Sequence, residues 1–529
     1  MRVVLDSKIY ELKSGTGVTR TPLEEYSSPV RLDGQQRRKD KQGISSWAID
    51  RWDNGLGIQK MNTEKTSDLY RLWEVDNCDT RYPSQITLSP DSKNIIMVPS
   101  RGDVRLPMQY MGNLYFVDTA CPTKAIVHQW TPGSLNRIAS IGELSSSALF
   151  GSVSSVRAFG DKIAFTGFDL NTNRQYFYMV PTLGDTAGEK SFDESDTGNV
   201  RPQIGDFGGT CHVLAYFPTK NRVNFYVADQ ALTVGSLHLV GTTSSSVGTY
   251  LAQLHTDGLK MYAMLPEGLY NFDETPNKII DTGRSIDRNT QLALFQNYPY
   301  FKNKTSLVKY DGTDVDSIGY DREDGLPRSQ WGEITAMCSS FQFLFAAVQG
   351  ATYSHIYAMD NNNKWHYYTK VDQVGAYVEN MFLSDLPDGF DRLWCVLGGS
   401  YSAPNYIKYY RSPMVNPLSA GTYNFVYTGS FIPPMNDGGI PEEEAGYFDM
   451  VVTADGMVGT NSITVRYGIN GEDPSTATLG RVSTTNSVLV FGSPYGVAAH
   501  RIQPRFDLSQ YNVGLGSTPV FRSAVIHYL

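Results

Sequence analysis

Cysteine is scarce in this chain and nowhere paired. The five present, Cys78, Cys121, Cys211, Cys338 and Cys395, include no Cys-x-x-Cys, so neither a disulfide framework nor a thiolate zinc site is indicated and they read as buried apolar residues. Eight histidines, His128, His212, His238, His255, His355, His366, His500 and His527, show no i, i+4 pairing and no ligand-like clustering; they read as strand or turn residues. Charge is also thin: charged residues make up 19%, below the ~25% of an average soluble chain. The formal net charge of −9 lacks the overall footprint of a nucleic-acid binder. No apolar window of ~18 residues occurs, and the start, MRVVLDSKIYELKSG, has no signal-peptide h-region. The expectation is a protein made in a cytosol that does not span a membrane by itself.

Catalytic motifs are missing as well. Gly-x-Ser-x-Gly, the Walker phosphate loop, His-Glu-x-x-His and the repeated Asp-box do not occur. Gly55-Leu56-Gly57 begins like a dinucleotide loop, but Lys60 stands at the last glycine position, so a turn is the better reading. In Asp311 to Asp324, Asp314 and Asp316 are spaced as in a calcium loop, yet Ile318 occupies the third ligand position. Glu442-Glu443-Glu444 is a solvated charge run, and Arg101-Gly102-Asp103 a turn. No catalytic residue, cofactor or metal ligand is assigned, and the chain is not expected to be an enzyme.

What the sequence has in quantity is 33 Tyr, 24 Phe and 48 Gly, a mixture that favours pleated strands and tight turns. The expected class is all-β. Only two short helices are predicted: Ser67 to Val75, capped by Ser67 or Asp68, and Ser134 to Leu144, where Leu135, Ile138 and Ile141 recur every third residue. From Pro83 onward one pattern repeats in degenerate form, an aliphatic-aromatic strand often ending in Asp, with a partner run before it. Marks at Leu114, Tyr176, Phe225, Leu269, Leu307, Ile356 and Ile407 are separated by roughly 62, 49, 44, 38, 49 and 51 residues, near the ~40 to 50 of propeller blades. This predicts a β-propeller of about seven blades over residues 83–413, against the alternative of ordinary hairpins in separate β-domains. After Pro413, alternating strands from Tyr447 to His527 predict a β-sandwich of jelly-roll type over 414–529, joined through an exposed linker at Phe431 to Gly446.

Residues 1–82 read as an extended N-terminal arm with a short helix. Between Arg31 and Lys60 the basic residues Arg37, Arg38, Lys39 and Lys41 stand beside Trp47, Ile49 and Trp52. Arg37, Arg38, Lys39, Trp47 and Trp52 are therefore candidates for a subunit contact, aromatic anchors with charges that steer the approach. An intramolecular strap over the chain's own propeller is the competing reading.

The progression Val30-Arg31-Leu32-Asp33-Gly34, Trp47-Ala48-Ile49-Asp50, Gly55-Leu56-Gly57, Tyr70-Arg71-Leu72-Trp73 and Asp79-Thr80-Arg81-Tyr82-Pro83-Ser84-Gln85-Ile86 is similar to a segment in large β-propeller proteins of tailed phages. The later hairpins and the ending, HRIQPRFDLSQ and STPVFRSAVIHYL, resemble the same class. The resemblance implies a structural part of a virion tail, of the nozzle, hub or baseplate kind, with no catalytic residue to map. Its partners would be other copies around the tail axis and other tail or neck proteins. The alternatives are a host-surface glycan binder or depolymerase, with Tyr and Trp as sugar platforms, and a bacterial propeller enzyme.

Overall fold

The computed structural model describes residues 2–5, 8–11, 45–56, 71–95, 104–118, 125–131, 134–141, 150–169, 174–180, 188–195, 202–207, 210–228, 237–244, 253–256, 260–265, 268–272, 276–281, 292–303, 306–319, 327, 329–386, 389–398, 407–419, 423–437, 443–492, 496–510 and 517–529. The chain is all-β. Among the described residues the regular elements are strands, apart from one 3-10 turn at Pro218–Lys220, and no helix is long and apolar enough to cross a membrane.

Antiparallel sheets of four strands succeed one another along the chain. The first holds Val104–Tyr110, Asn113–Asp118, Ala125–Thr131 and Ser134–Ile141. The second holds Phe150–Phe159, Lys162–Asp169, Arg174–Val180 and Gly188–Ser195. The third holds Gln203–Phe207, Thr210–Phe217, Arg222–Ala228 and Leu237–Ser244. The fourth is Gln253–Thr256, Met261–Leu265, Gly268–Phe272 and Pro276–Asp281. The fifth is Leu292–Phe295, Tyr298–Asn303, Ser306–Tyr310 and Val315–Ser317. The sixth is Glu333–Ser339, Leu344–Gln349, Ser354–Met359 and Trp365–Lys370. The seventh takes Tyr377–Asp385, Asp391–Gly398 and Ile407–Arg411 from its own stretch of chain. Its fourth strand is Lys93–Ile95, which precedes the first sheet in sequence and pairs Ile407 with Ile95 and Tyr409 with Lys93.

The first strands of successive sheets pack one against the next, and Tyr377–Asp385 packs back against Val104–Tyr110, so the contacts form a cycle. Between neighbouring sheets lie clusters of buried side chains. Leu214, Phe225, Leu254 and Tyr270 join the third to the fourth, and Phe116, Trp130, Trp394 and Tyr409 join the first to the seventh. Burial on both sides explains the near-continuous apolar runs: Ser354–Met359 is buried at every position, whereas a sheet with one wet face would alternate. Aromatic density follows from the same geometry. The Trp394 ring stacks on Phe382 at 5.9 Å and meets Trp130 edge-on at 5.2 Å, pairs worth about 0.5–1.5 kcal/mol each beyond area burial.

Besides two hairpins, Arg2–Leu5 with Lys8–Glu11 and Cys78–Asp79 with Thr87–Leu88, there are two five-stranded sheets among the described residues, and both recruit strands from the first eighty residues. In one, Ser45–Ile49 lies beside Val520–Tyr528, followed by Ala445–Asp455 and then Asn486–Val490, with Val497–Ala499 also on Ala445–Asp455. In the other the order is Ala477–Val482, Ser462–Ile469, Ile502–Ser509, Thr428–Ile432 and Glu74–Asp76. Phe431 and Phe506 stack at 4.8 Å, and Phe521 of the first sheet packs on them at 4.8 and 4.7 Å. The cluster around these three continues through Trp52 and Leu56 to Tyr357 and Tyr367 of the sixth four-stranded sheet and Phe295 of the fifth.

Several expectations are corrected here. The stretch predicted as a helix from Ser134 is the strand Ser134–Ile141. Val127 pairs with Ala139 and His128 with Arg137, which leaves Ile138 as the extra residue of a β-bulge. Of the other predicted helix, Ser67 to Val75, the described part contains the strand Glu74–Asp76; residues 67–70 lie outside the described residues. The segment Phe431 to Gly446, expected as an exposed linker, is buried in its first part, while residues 438–442 lie outside the described residues and Glu443 and Glu444 are exposed. Residues 431–436 are buried, Asn436 exchanges backbone hydrogen bonds with Ile502 at 2.9 Å, and the Gln503 amide donates to the Pro433 carbonyl at 3.0 Å. Proline suits such a place because its missing N–H leaves nothing to satisfy.

Candidate functional site

The cyclic packing of first strands encloses a cavity of about 600 Å³, to which all seven four-stranded sheets contribute. Gln109 comes from the first sheet, Ser154, Ser155 and Arg157 from the second, Gln203 from the third, Leu254 from the fourth, Leu292 from the fifth, Cys338 and Ser339 from the sixth, and Asn380 and Ser384 from the seventh. Bulges re-aim this wall. On the first strands the register shifts between Val153 and Ser155, between Ile334 and Ala336 and between Val378 and Asn380, and a bulge turns consecutive side chains to faces that a regular pleat would not give them.

Much of the polar lining is already engaged. The Ser154 hydroxyl donates to the Pro202 carbonyl at 2.7 Å, as does Thr166 at 2.8 Å, which ties the second sheet to the third. Gln203 Nε2 donates to the Ser154 carbonyl at 3.4 Å, and Ser155 Oγ accepts from the Ile204 N–H at 3.2 Å. Gln109 donates to the Asp385 carbonyl at 2.8 Å across the junction of first and seventh sheets, while Trp394 Nε1 donates to Ser384 Oγ at 2.7 Å. Arg157 differs from all of these. Its side chain is exposed and forms part of the cavity lining, and desolvation by the surrounding protein lowers its guanidinium pKa from the ordinary arginine value, opposed by the Asp206 charge.

A second concentration of charge sits where the N-terminal segment, the sixth sheet and the C-terminal sheets meet. Arg81 is 3% exposed. Its guanidinium grips the Asp79 carboxylate with two bonds, Nε to Oδ1 at 2.9 Å and Nη2 to Oδ2 at 2.7 Å, and donates to the Pro413 carbonyl. Its plane lies 4.3 Å from the Tyr368 ring centre, with Tyr82 and Phe343 beyond. Burial alone would depress the Arg81 pKa; the Asp79 charge and hydrogen bond outweigh it and hold the pKa above the ordinary value. The surrounding backbone is tied across the junction: Thr80 N–H donates to the Tyr367 carbonyl at 3.0 Å, Tyr367 N–H to Thr80 Oγ1 at 2.9 Å, and Leu56 N–H to the Trp365 carbonyl at 2.7 Å. Gly55 has φ +80°, and a Cβ there would lie 2.2 Å from the Trp365 carbonyl oxygen, so this glycine serves a turn pressed against the outer strand of the sixth sheet. The outer strand is thereby covered, as a sheet edge requires.

The predicted subunit-contact residues divide at this junction. Trp47 is 9% exposed and Trp52 fully buried, both in the chain's own core. Trp52 Nε1 donates to the Tyr82 carbonyl at 3.2 Å, and Trp47 lies on a strand paired with Val520–Tyr528. Both are core residues of this chain; amphipathic tryptophan beside basic residues fits either use. Arg37, Arg38 and Lys39 lie outside the described residues. The Asp311 loop is a tight turn within the fifth sheet, its carboxylate accepting from Thr313 N–H at 2.8 Å and Asp314 N–H at 2.7 Å, which lowers its pKa. Among the described residues no three His, Cys, Asp or Glu side chains are placed to hold a metal ion. Two features escaped sequence reasoning: Arg157, a lone strand arginine with no motif around it, and the Asp79–Arg81 pair, whose i, i+2 spacing on an irregular segment is common at surfaces.

No protein-family model matches the sequence, and no curated protein matches it. Among solved structures, a chain of the Mitotic Checkpoint Complex is similar at 12% identity and TM-score 0.41, over 61% of this chain and 91% of that one. The β-propeller domain of the Trilobed protease from Pyrococcus furiosus, of open velcro topology, is 12% identical with TM-score 0.36, over 57% and 99%. The exo-beta-1,3-galactanase of Phanerochaete chrysosporium is 9% identical with TM-score 0.30, over 84% and 100%. At such distances no activity transfers to this chain.

Proposed function

We propose that the chain is a non-enzymatic structural component of a phage virion tail, in which the four-stranded sheets are the seven blades of a β-propeller and the two five-stranded sheets form a β-sandwich. In this reading copies assemble as a symmetric ring or hub around the tail axis, with other tail or neck proteins as partners. The observation that carries it is the continuous core from Phe295 and Tyr357 through Trp52 to Phe431 and Phe521. It welds propeller and sandwich into one body, the mechanical property required of a part that must keep its geometry inside a large assembly. Large apolar side chains left in water, Phe341 at 78% and Val458 at 70% exposure, are surfaces that assembly would bury. The resemblance of residues 30–86 to propeller proteins of tailed phages supports the same reading.

The test is the composition of purified particles encoded by the genome that carries this chain. Mass spectrometry of the tail fraction should find the protein in a fixed copy number with other tail proteins, and immunogold should label one level of the tail. Its absence from particles, with the protein free in the lysate, overturns the proposal. The axial cavity favours a second reading, a glycan binder on a propeller scaffold, which saccharide binding by the isolated chain would support.

A further inference from the structure

Arg157 is the one charged side chain in the described lining of the axial cavity; the remaining polar lining groups, among them Gln109, Ser155, Gln203, Cys338 and Asn380, are neutral. No carboxylate among the described residues lies within ion-pair distance of its guanidinium, and no hydrogen bond to it is formed there. Asp206 acts on it only through space. The buried lysine and arginine side chains of the four-stranded sheets are each met by their own chain: Lys302 is paired with Glu333, Lys408 with Asp372, and Arg392 lies over the Trp130 and Tyr409 rings with Nη1 donating to the Phe390 carbonyl at 2.9 Å. A guanidinium that faces a cavity and is met by no carboxylate among the described residues can pair with an anion that enters.

Low-dielectric walls also concentrate the field of a single charge along the cavity. Five guanidinium N–H donors in a planar fork match a carboxylate or phosphate, to which two parallel bonds can form. Ser155 adds a hydroxyl whose oxygen accepts from Ile204 N–H and whose proton is left to donate. The volume, about 600 Å³, lies within the range of small-molecule sites, on the order of 300–1,000 Å³. We propose that the axial cavity is a binding site for a small polar molecule bearing one oxyanion group, carboxylate or phosphate, with Arg157 as the residue that pairs with it. This goes beyond the structural role and does not depend on it.

Calorimetric titration of the full chain tests the proposal, with glucuronate as the carboxylate probe, inorganic phosphate as the phosphate probe and glucose as the neutral control. At least one anion should bind saturably at one site per chain, in the millimolar range or tighter, and glucose should not. Whichever anion binds identifies the source of the oxyanion. Arg157→Gln should weaken that binding about tenfold or more, and Arg157→Lys should retain part of it while the melting temperature stays unchanged. Asn380→Asp, which sets a carboxylate in the lining from the seventh sheet, should weaken it as well and gives the same reading if the Arg157 variant fails to fold. Absence of saturable binding by both anions, equal binding of glucose, or wild-type affinity in both Arg157→Gln and Asn380→Asp overturns the assignment.

Discussion

Arg81 is buried in the junction and Arg157 is exposed in the cavity lining, and their surroundings have almost nothing in common. Arg81 has a bidentate carboxylate, a backbone carbonyl and an aromatic face; Arg157 has otherwise neutral residues in the described cavity lining, and the charge of Asp206 acts on it through space. The pKa directions follow, upward for Arg81 and downward for Arg157. A charge fully met by its own chain fixes architecture, because any rearrangement would strand it. A charge that no described carboxylate meets is open to pairing with something that arrives from outside. The junction is therefore where the molecule should break when altered, and the cavity where it should tolerate change.

The largest effect is expected from truncation. Removing residues 1–60 takes away Trp47, Ile49, Trp52 and Leu56, all in the continuous core, and the edge strand on Val520–Tyr528. The product should be insoluble or lack a cooperative melt. Removing residues 1–44 spares those residues and should leave the melt intact; under the proposed assembly it removes Arg37, Arg38 and Lys39 and should slow incorporation into particles. A stable, cooperative 61–529 fragment would show that the N-terminal strands are dispensable and dissolve the contrast between junction and cavity.

Next in size is the ion pair. Arg81→Met leaves the Asp79 carboxylate buried and unpaired and should cost about 3–5 kcal/mol in urea or thermal melts. Asp79→Asn should fall in the same range, and the double variant Arg81→Met, Asp79→Leu should recover much of the loss, since replacing a whole buried pair by apolar groups is often neutral. Strict additivity of the two single losses would mean the pair is not coupled as its geometry implies.

These outcomes depend on features the sequence exposes unevenly. The third strands of the repeat are legible because they are buried on both faces and rich in aromatics: Tyr176, Phe225, Leu269, Leu307, Ile356 and Ile407 all fall on the third strand of their sheets. Leu114 falls on a second strand, which is why its gap to the next mark is the long one. The bulge at Ile138 leaves no pattern within its own strand, because the partner strand defines it. Ser45–Ile49 and Glu74–Asp76 join strands far along the chain, and pairing at that separation leaves no local trace. Phe431 to Asn436 looked like a linker because proline and asparagine mark loops on average; here the surrounding sheets bury them. Arg157 carries no signal beyond its position on a strand, since what matters is which side chains other sheets do not place opposite it.

A smaller effect should appear with acid. His355 on the sixth sheet is held neutral between Tyr367 OH at 3.1 Å and the Ser329 carbonyl at 3.2 Å, and desolvation, opposed by Asp76 and reinforced by Lys370, lowers its pKa to about 4. The unfolded imidazole protonates near the ordinary value of about 6.5. Its contribution is thus complete above pH 6.5 and is lost as pH falls toward 4, by at most about 3 kcal/mol. In His355→Gln the stability-against-pH curve should be flatter over that window than in the parent. Identical slopes would mean that other groups carry the acid response.

The smallest effect belongs to the cavity. Arg157→Met keeps a side chain of similar reach but removes a cavity-facing charge that makes no hydrogen bond among the described residues, so in ligand-free buffer the stability should stay within about 0.5 kcal/mol of the parent or rise slightly. Urea melts with an unchanged m-value check this directly. The sign matters more than the size. A loss of several kcal/mol would mean that the guanidinium is held by a group of its own chain, which would make Arg157 a second Arg81 and end the distinction between them. Neutral or improved stability, set beside the loss expected for Arg81→Met, would show that one chain keeps one arginine for its own architecture and leaves the other facing open space where an anion fits.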